Sequence, residues 1–334
     1  RLQSLYRKAE EATEEYNDAK DKLGKQRRYV EQLDARLADQ RADLRRSRKA
    51  AGQLARRQYQ NAGLSDYGRL LVSDDPQRAL ESGHLLSQTA KIQAETIRRL
   101  QQDERELDRL TRKQKSTLDR IKKYADKQRK ARDRVEKQLD QVERIVSSLT
   151  GAQLEELRAL EERGFNAAQA EFLRSGALGS GNRAPSKAGR KAIGYAFNQL
   201  GDPYVWGAEG PDSFDCSGLT SQAWRHAGRA IPRTSQEQWK RLPKVPLNQL
   251  RPGDLVVYYP GATHIGMYIG NAMIVHAPRP GSFVKVAPIG SMPVIGAVRP
   301  DPDAKPDGGY KTPKIPEKGR KASPIGTGRS GGSR

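Results

Sequence analysis

The sequence predicts an α+β domain over residues 186–300, set behind a long all-α coiled-coil hairpin and followed by a disordered tail. Three observations lead there. Apolar residues recur every seven positions through residues 1–60 and again through about 85–150. Short strand-like runs separated by tight turns follow two helices between 186 and 300. After Pro300 periodicity stops, and Pro, Gly, Lys and Ser dominate.

The hairpin is carried by two apolar rows. Leu2, Ala9, Tyr16, Leu23, Val30, Leu37, Leu44 and Ala51 fall at intervals of seven, with Leu5, Ala12, Ala19, Leu33 and Leu54 on a second row three residues on. Two such rows keep one stripe of a helix turned toward a partner helix. Leu100, Leu107, Ile121, Val135, Val142 and Leu149 repeat the register in the second arm, which Gln114 and Gln128 weaken. The Glu, Lys, Arg and Gln between these rows read as solvated faces. Residues 1–175 are therefore expected to form a helical hairpin.

Its tip, near 63–90, breaks the pattern. Gly63 and Gly68 interrupt it, and Ser73-Asp74-Asp75-Pro76 reads as an N-cap with proline in the first helical turn. Leu70, Leu71, Val72, Leu80, Leu85 and Leu86 make a denser apolar cluster, which either buries itself or docks a protein partner. A further helix spans 151–175, and a Gly/Ser-rich linker covers about 176–185. Residues 301–334 are expected to be a disordered basic tail.

Composition limits the function classes. The 334 residues carry a net charge of +21 and only 35% hydrophobic residues, too polar for one globule of this length. No run of 18 apolar residues could span a bilayer. The charge favours anionic partners such as wall polymers. Specific nucleic-acid binding is not expected, since zinc-finger cysteines are absent and aromatics amount to 6%. The chain starts at Arg1, which leaves open whether a cleaved export signal precedes it.

Within 186–300 a helix is expected from Ser186 to Leu200, ended by Gly201, and another from Cys216 to Gly228. Strands follow at Asp254–Tyr259, His264–Ile269, Ala272–Ala277, Phe283–Val286 and Val294–Val298, with Gly270-Asn271 as a two-residue turn. Helices before antiparallel strands indicate α+β architecture.

Cys216 is the sole cysteine, and it sits where a loop becomes a helix. Unpaired N–H groups and the helix dipole at that point favour a thiolate nucleophile. His264 opens a strand, and His276 lies twelve residues on across the hairpin. The even spacing is expected to put both side chains on one sheet face unless a bulge intervenes. That suits a base, His264, oriented by His276. A zinc site would need further ligands, so no metal or cofactor is expected. His226 and His84 read as structural or solvent-facing.

Tyr204, Asp215-Cys216-Ser217-Gly218, Pro232-Arg233-Thr234-Ser235, Pro252-Gly253-Asp254-Leu255-Val256, His264-Ile265-Gly266-Met267-Tyr268-Ile269-Gly270 and His276-Ala277 together resemble, in order and spacing, the NlpC/p60-type cell-wall cysteine peptidases. The resemblance covers about a third of the chain. It implies a papain-like catalytic domain with Cys216, His264 and His276 as its triad. It also implies hydrolysis of peptidoglycan stem-peptide amides, between D-isoglutamate and a diamino acid such as meso-diaminopimelate or lysine. Tyr204 would help hold the oxyanion beside the Cys216 N–H. Asp215 would meet a substrate amine, and Ser217, Arg233 and Ser235 would line the substrate groove.

The first 175 residues resemble, more loosely, the coiled coils of exported wall hydrolases that pair with the FtsE–FtsX complex. The matching features are Leu70-Leu71-Val72-Ser73 and then Arg78, Leu80, Leu85 and Leu86. This implies a secreted, cell-wall-associated protein whose hairpin shields the groove until a membrane partner acting at 63–90 withdraws it, with roles in wall remodelling or cell separation. The competing readings are an N-acetylmuramoyl-L-alanine amidase and a non-catalytic wall-binding adaptor.

Overall fold

A computed structural model describes residues 1–60, 76–179 and 183–319. The apolar block 70–72, the cap Ser73–Asp75, the linker centre 180–182 and the tail 320–334 lie outside the described residues, as do the side chains of Arg78, Leu80 and Leu86. The chain divides into two compact units: Arg1–Asp21 with everything from Ala125 onward, and Lys22–Tyr124. No described helix is long and apolar enough to cross a membrane.

Helix α1 runs Leu2–Gln60 and α2 runs Pro76–Ser147. Within the second unit they meet along the expected rows. Leu33, Leu37 and Leu110 bury one another, flanked by Tyr29 and Leu107. Asp103 accepts hydrogen bonds from Gln40 and Ser47, and Lys113 lies over the Tyr29 ring. Leu85 and Ile92 of α2 are exposed.

In the first unit the same rows continue. Ala9, Ala12, Val135 and Leu139 form one apolar cluster, and Leu2, Leu5, Tyr6 and Val142 another. Helix α3, Gly151–Arg174, starts from a full capping box between Thr150 and Gln153. Leu154 and Leu157 join the Leu2–Val142 cluster.

The α+β domain follows. Helix α4 is Lys187–Asn198, capped by Ser186, and α5 is Cys216–His226, capped by Asp215. Helix α6, Ser235–Arg241, was not anticipated. The strands are β1 (Lys244–Val245), β2 (Leu255–Tyr258), β3 (His264–Gly270), β4 (Met273–His276), β5 (Lys285–Pro288) and β6 (Val294–Val298). They form one antiparallel sheet in the order β1-β6-β2-β3-β4-β5.

The sheet has a core on each face, as alternation along its strands requires. Leu255, Val257, Ile265, Met267, Ile269 and Val275 pack against Ile193, Ala196, Leu219 and Trp224 of α4 and α5. On the other face Val256, Tyr258, Ile274 and Ile289 meet Phe172 of α3 and Leu178. A Cβ at Gly290 would stand 2.5 Å from Phe172 Cβ, so only glycine admits this aromatic ring. Gln169 fixes the contact by accepting from the Gly290 N–H at 2.6 Å. The helix after the α1–α2 pair is thus built into the sheet domain.

Residues 301–319 are held to the same domain. Arg251 pairs with Asp301 at 2.7 Å, Arg190 with Asp307 at 3.0 Å, and the Tyr310 hydroxyl donates to the Ile269 carbonyl at 2.8 Å.

Candidate active site

Cys216 is the first residue of α5. Asp215 caps that helix by accepting from the Gly218 N–H at 2.7 Å, which sets the Cys216 N–H among the donors with no intrahelical partner. Gly218 is required for a different reason. A Cβ there would lie 2.2 Å from the Ala208 carbonyl oxygen, so the loop carrying Tyr204 could not close on the helix.

Asp215 is fully buried, and the chain's own donors surround it. Arg233 grips both carboxylate oxygens at 3.0 and 2.7 Å, and the Gly207 N–H donates at 3.0 Å. Arg233 also donates to Ser217 Oγ at 2.8 Å and pairs with Glu209 at 3.0 Å. Ser235 Oγ donates to the Ala262 carbonyl at 2.6 Å, which ties the start of α6 to the segment before β3. Tyr204 is buried with its hydroxyl unpartnered among the described residues. Burial, with the Cys216 and Asp215 charges next, pushes its pKa well up.

His264 Nε2 and His276 Nδ1 lie 2.9 Å apart, both rings buried. The turn between the two strands differs from the one expected. The two-residue turn is Asn271-Ala272, both at positive φ, and not Gly270-Asn271. From that turn an unbroken ladder would send the two imidazoles to opposite faces. A bulge between Tyr268 and Gly270 shifts the register by one, so Gly266 opposes His276 and both rings share a face. The irregularity creates the pair.

Sequence reasoning missed the groups of α1 that meet this site. Glu14 Oε1 accepts from Ser217 Oγ at 2.6 Å and lies 3.5 Å from Cys216 Sγ, and its Oε2 accepts from the Ser235 N–H at 2.9 Å. Asn17 donates to Asp215 at 2.9 Å. Glu10 Oε1 is 3.7 Å from His264 Nδ1. Tyr16 stands edge-on to Trp206, ring centroids 5.0 Å apart. No sequence signal marked them: Tyr6, Glu10, Thr13, Glu14 and Asn17 lie off both apolar rows, and their burial is seen only in the folded chain.

Helix α1 therefore covers Cys216 and changes its chemistry. Burial first, then the Glu14, Asp215 and Glu10 charges, hold the Cys216 pKa well above the ordinary thiol value. Burial pushes His264 down to about 3. Glu14 is raised to about 7, by burial first and Asp215 second. Both partners of a Cys–His couple are neutral in this state.

Beyond the histidine pair, Arg279 follows β4. It pairs with Glu161 of α3 through two bonds of 3.0 and 2.9 Å, and its guanidinium lies 4.4 Å from the Tyr6 ring centroid. Among the described residues no group of three or more His, Cys, Asp or Glu side chains is arranged to hold a metal ion.

The family model described as NlpC/P60 family matches residues 201–294, so this segment is an NlpC/P60 domain. A probable endopeptidase of Corynebacterium glutamicum is 42% identical over 111 residues, 33% of this chain and 53% of the relative. The chain thus spans about half the length of that curated relative. Among solved structures, the NlpC/p60 domain of the peptidoglycan hydrolase SagA is 32% identical over 33% of this chain and 97% of its own (TM-score 0.32). RipD of Mycobacterium tuberculosis, described as a non-catalytic NlpC/p60 protein adapted to peptidoglycan binding, is 28% identical over 34% of this chain and 98% of its own (TM-score 0.31).

Proposed function

We propose that the NlpC/P60 domain is a cysteine peptidase that works outside the cytoplasm on peptidoglycan stem peptides, cutting between D-isoglutamate and the diamino acid, and that α1 holds it latent. The observation that carries the reading is Cys216 at the start of α5 together with the His264–His276 pair, within the segment that matches the family.

The chemistry follows from these groups. With Nε2–H donated to His276 Nδ1, His264 presents a lone pair at Nδ1, the atom that faces α1 in the latent chain. Once α1 withdraws, water and substrate replace the two carboxylates, and the thiol proton passes to His264. The Cys216 thiolate attacks the scissile carbonyl, and the oxyanion is met by the Cys216 N–H and the Tyr204 hydroxyl. His264 then protonates the leaving amine and activates the water that hydrolyses the acyl-enzyme. Asp215 and Arg233 set the nucleophile's helix in place, and Asn17 marks where a substrate amine could reach Asp215.

Withdrawal of α1 by a membrane partner of the FtsE–FtsX kind, acting on residues 63–90, fits the polar character of the contact. The basic charge of the chain supports retention on anionic wall polymers. The RipD likeness keeps an inert wall-binding reading in view, and the test separates the two. Defined muropeptides are digested by a full chain in which α1 has been loosened, with products read by mass spectrometry. Stem peptides cut after D-isoglutamate are expected, and Cys216→Ala in the same background should release none. Wall binding without any cleavage would sink the peptidase reading, and a cut at the lactyl–alanine bond would make it an amidase.

A further inference from the structure

Helix α1 sets two carboxylates against the site, one helical turn apart, and a different group of the NlpC/P60 domain receives each. Glu14 lies on the nucleophile side, held by the Ser217 hydroxyl and the Ser235 N–H within the field of Arg233. Glu10 lies on the base side. It is 3.7 Å from His264 Nδ1, and Arg279 supplies the charge that most offsets the cost of burying it. A peptide bond attacked by Cys216 leaves its amine toward His264. Whatever occupies the place of Glu10 therefore belongs to the residue that carries the leaving amine.

Arg279 is shaped for such a ligand. Its side chain is 12% exposed, and Glu161, 9% exposed, fixes the guanidinium plane through both terminal nitrogens. Guanidinium carries five N–H donors and that pairing uses two. Its Nε–H is buried and unpartnered among the described residues. Lys285, directly opposite His276 on β5, is a second cation in this corner, close enough to Arg279 that the two charges oppose each other. Two cations thus share this corner with Glu161 and, near Lys285, Glu162, and Glu10, whose pKa burial holds well above the ordinary carboxyl range, brings its carboxyl to the same place in the latent chain.

We propose that Arg279, oriented by Glu161 and accompanied by Lys285, is a carboxylate subsite on the leaving-amine side, which selects a diamino acid bearing a side-chain carboxylate over one that lacks it. The proposal rests on the peptidase reading above. In it Glu10 is a stand-in for that carboxylate, and withdrawal of α1 exchanges one for the other. Arg279 also holds α1 through Tyr6, so its specificity must be read where α1 is already loose.

The test uses the full chain carrying Glu14→Ala and Tyr16→Ala. Three stem peptides are compared, identical except that the third residue is meso-diaminopimelate, its side-chain-amidated form, or lysine. The free acid should be preferred by about tenfold or more in kcat/KM, expressed mainly in KM. Adding Arg279→Gln should bring that ratio to about one, and Arg279→Lys should retain part of it. Equal use of the three peptides before the Arg279 change, or a preference that survives Arg279→Gln, would overturn the proposal. If the loosened chain cleaves none of the three while Cys216 alkylates readily, the peptidase reading fails and this subsite falls with it.

Discussion

Helices α1 and α3 both pack on the NlpC/P60 domain, and they do so with different chemistry. Helix α3 inserts Phe172 beside Gly290 on the rear face of the sheet, with Gln169 bonded to the Gly290 N–H and the Ala272 carbonyl, and its buried carboxylate, Glu161, is matched at both oxygens by Arg279. Helix α1 buries Glu10, Glu14 and Asn17 on the side of Cys216 and His264. Apolar burial is favourable over the whole range of pH and salt a protein meets. A buried carboxylate is costly unless every oxygen is matched, and its pKa records the cost. The difference teaches that the two contacts answer to different conditions, the α1 contact to the state of its carboxyls, which is what the latency proposed above draws on.

The comparison can be broken at its strong end first. Phe172→Ala removes a half-buried ring packed on a sheet, so the folded domain should lose about 2 kcal/mol, read as a lower denaturant midpoint. If instead thiol exposure rises with no change in midpoint, α3 is as detachable as α1. Tyr16→Ala strips the edge-on contact with Trp206 and should weaken α1 docking by about 1–2 kcal/mol. Alkylation of Cys216 should then quicken by roughly tenfold while the domain's midpoint holds. A fall in the midpoint equal to that of Phe172→Ala would erase the distinction.

The smallest effect is a dependence on pH. Glu14 in the docked state titrates near 7, above its ordinary 4.5. Docking therefore takes up a proton, and the contribution of Glu14 is whole below about 4.5 and lost as pH climbs through 7. His264, lowered to about 3, works the other way: its contribution is whole above about 6.5 and lost as pH falls toward 3. The groups facing Glu14 are Glu10, Tyr204, Asp215, Arg233, Cys216, Ser217 and Ser235, and a Gln variant shares all of them. The ratio of parent to Glu14→Gln alkylation rates therefore isolates the one carboxyl. It should rise between pH 5 and pH 8, and a flat ratio would remove Glu14 from the balance.

Much of this was legible in the residues. The seven-residue rows gave Leu33 and Leu37 on α1 and Leu107 on α2, because apolar periodicity survives in any helix that packs along its length, while Leu110, which completes their cluster, stands outside those rows. Five strands and the helix starting at Cys216 were legible for the same reason, since alternation and capping are local signals. Helix α6 and strand β1 were not, being too short to show a period. Glu10 and Glu14 were also invisible. Charged residues between heptad rows ordinarily face water, and only the folded domain shows that these do not. Arg279 and Glu161 are one ion pair separated by 118 positions, and nothing near either residue announces the other.

The bulge between Tyr268 and Gly270 has a consequence for reading sequences of this kind. A hairpin with a two-residue turn and a perfect ladder brings together residues separated by an odd count. An even count does so only if one strand carries a supernumerary residue, as Ile269 is here. The interval between the two histidines and the defect in the ladder are thus a single piece of arithmetic. A relative whose interval differs by one should either have a regular hairpin or have its imidazoles back to back across the sheet, and counting residues is enough to know which hairpins to inspect.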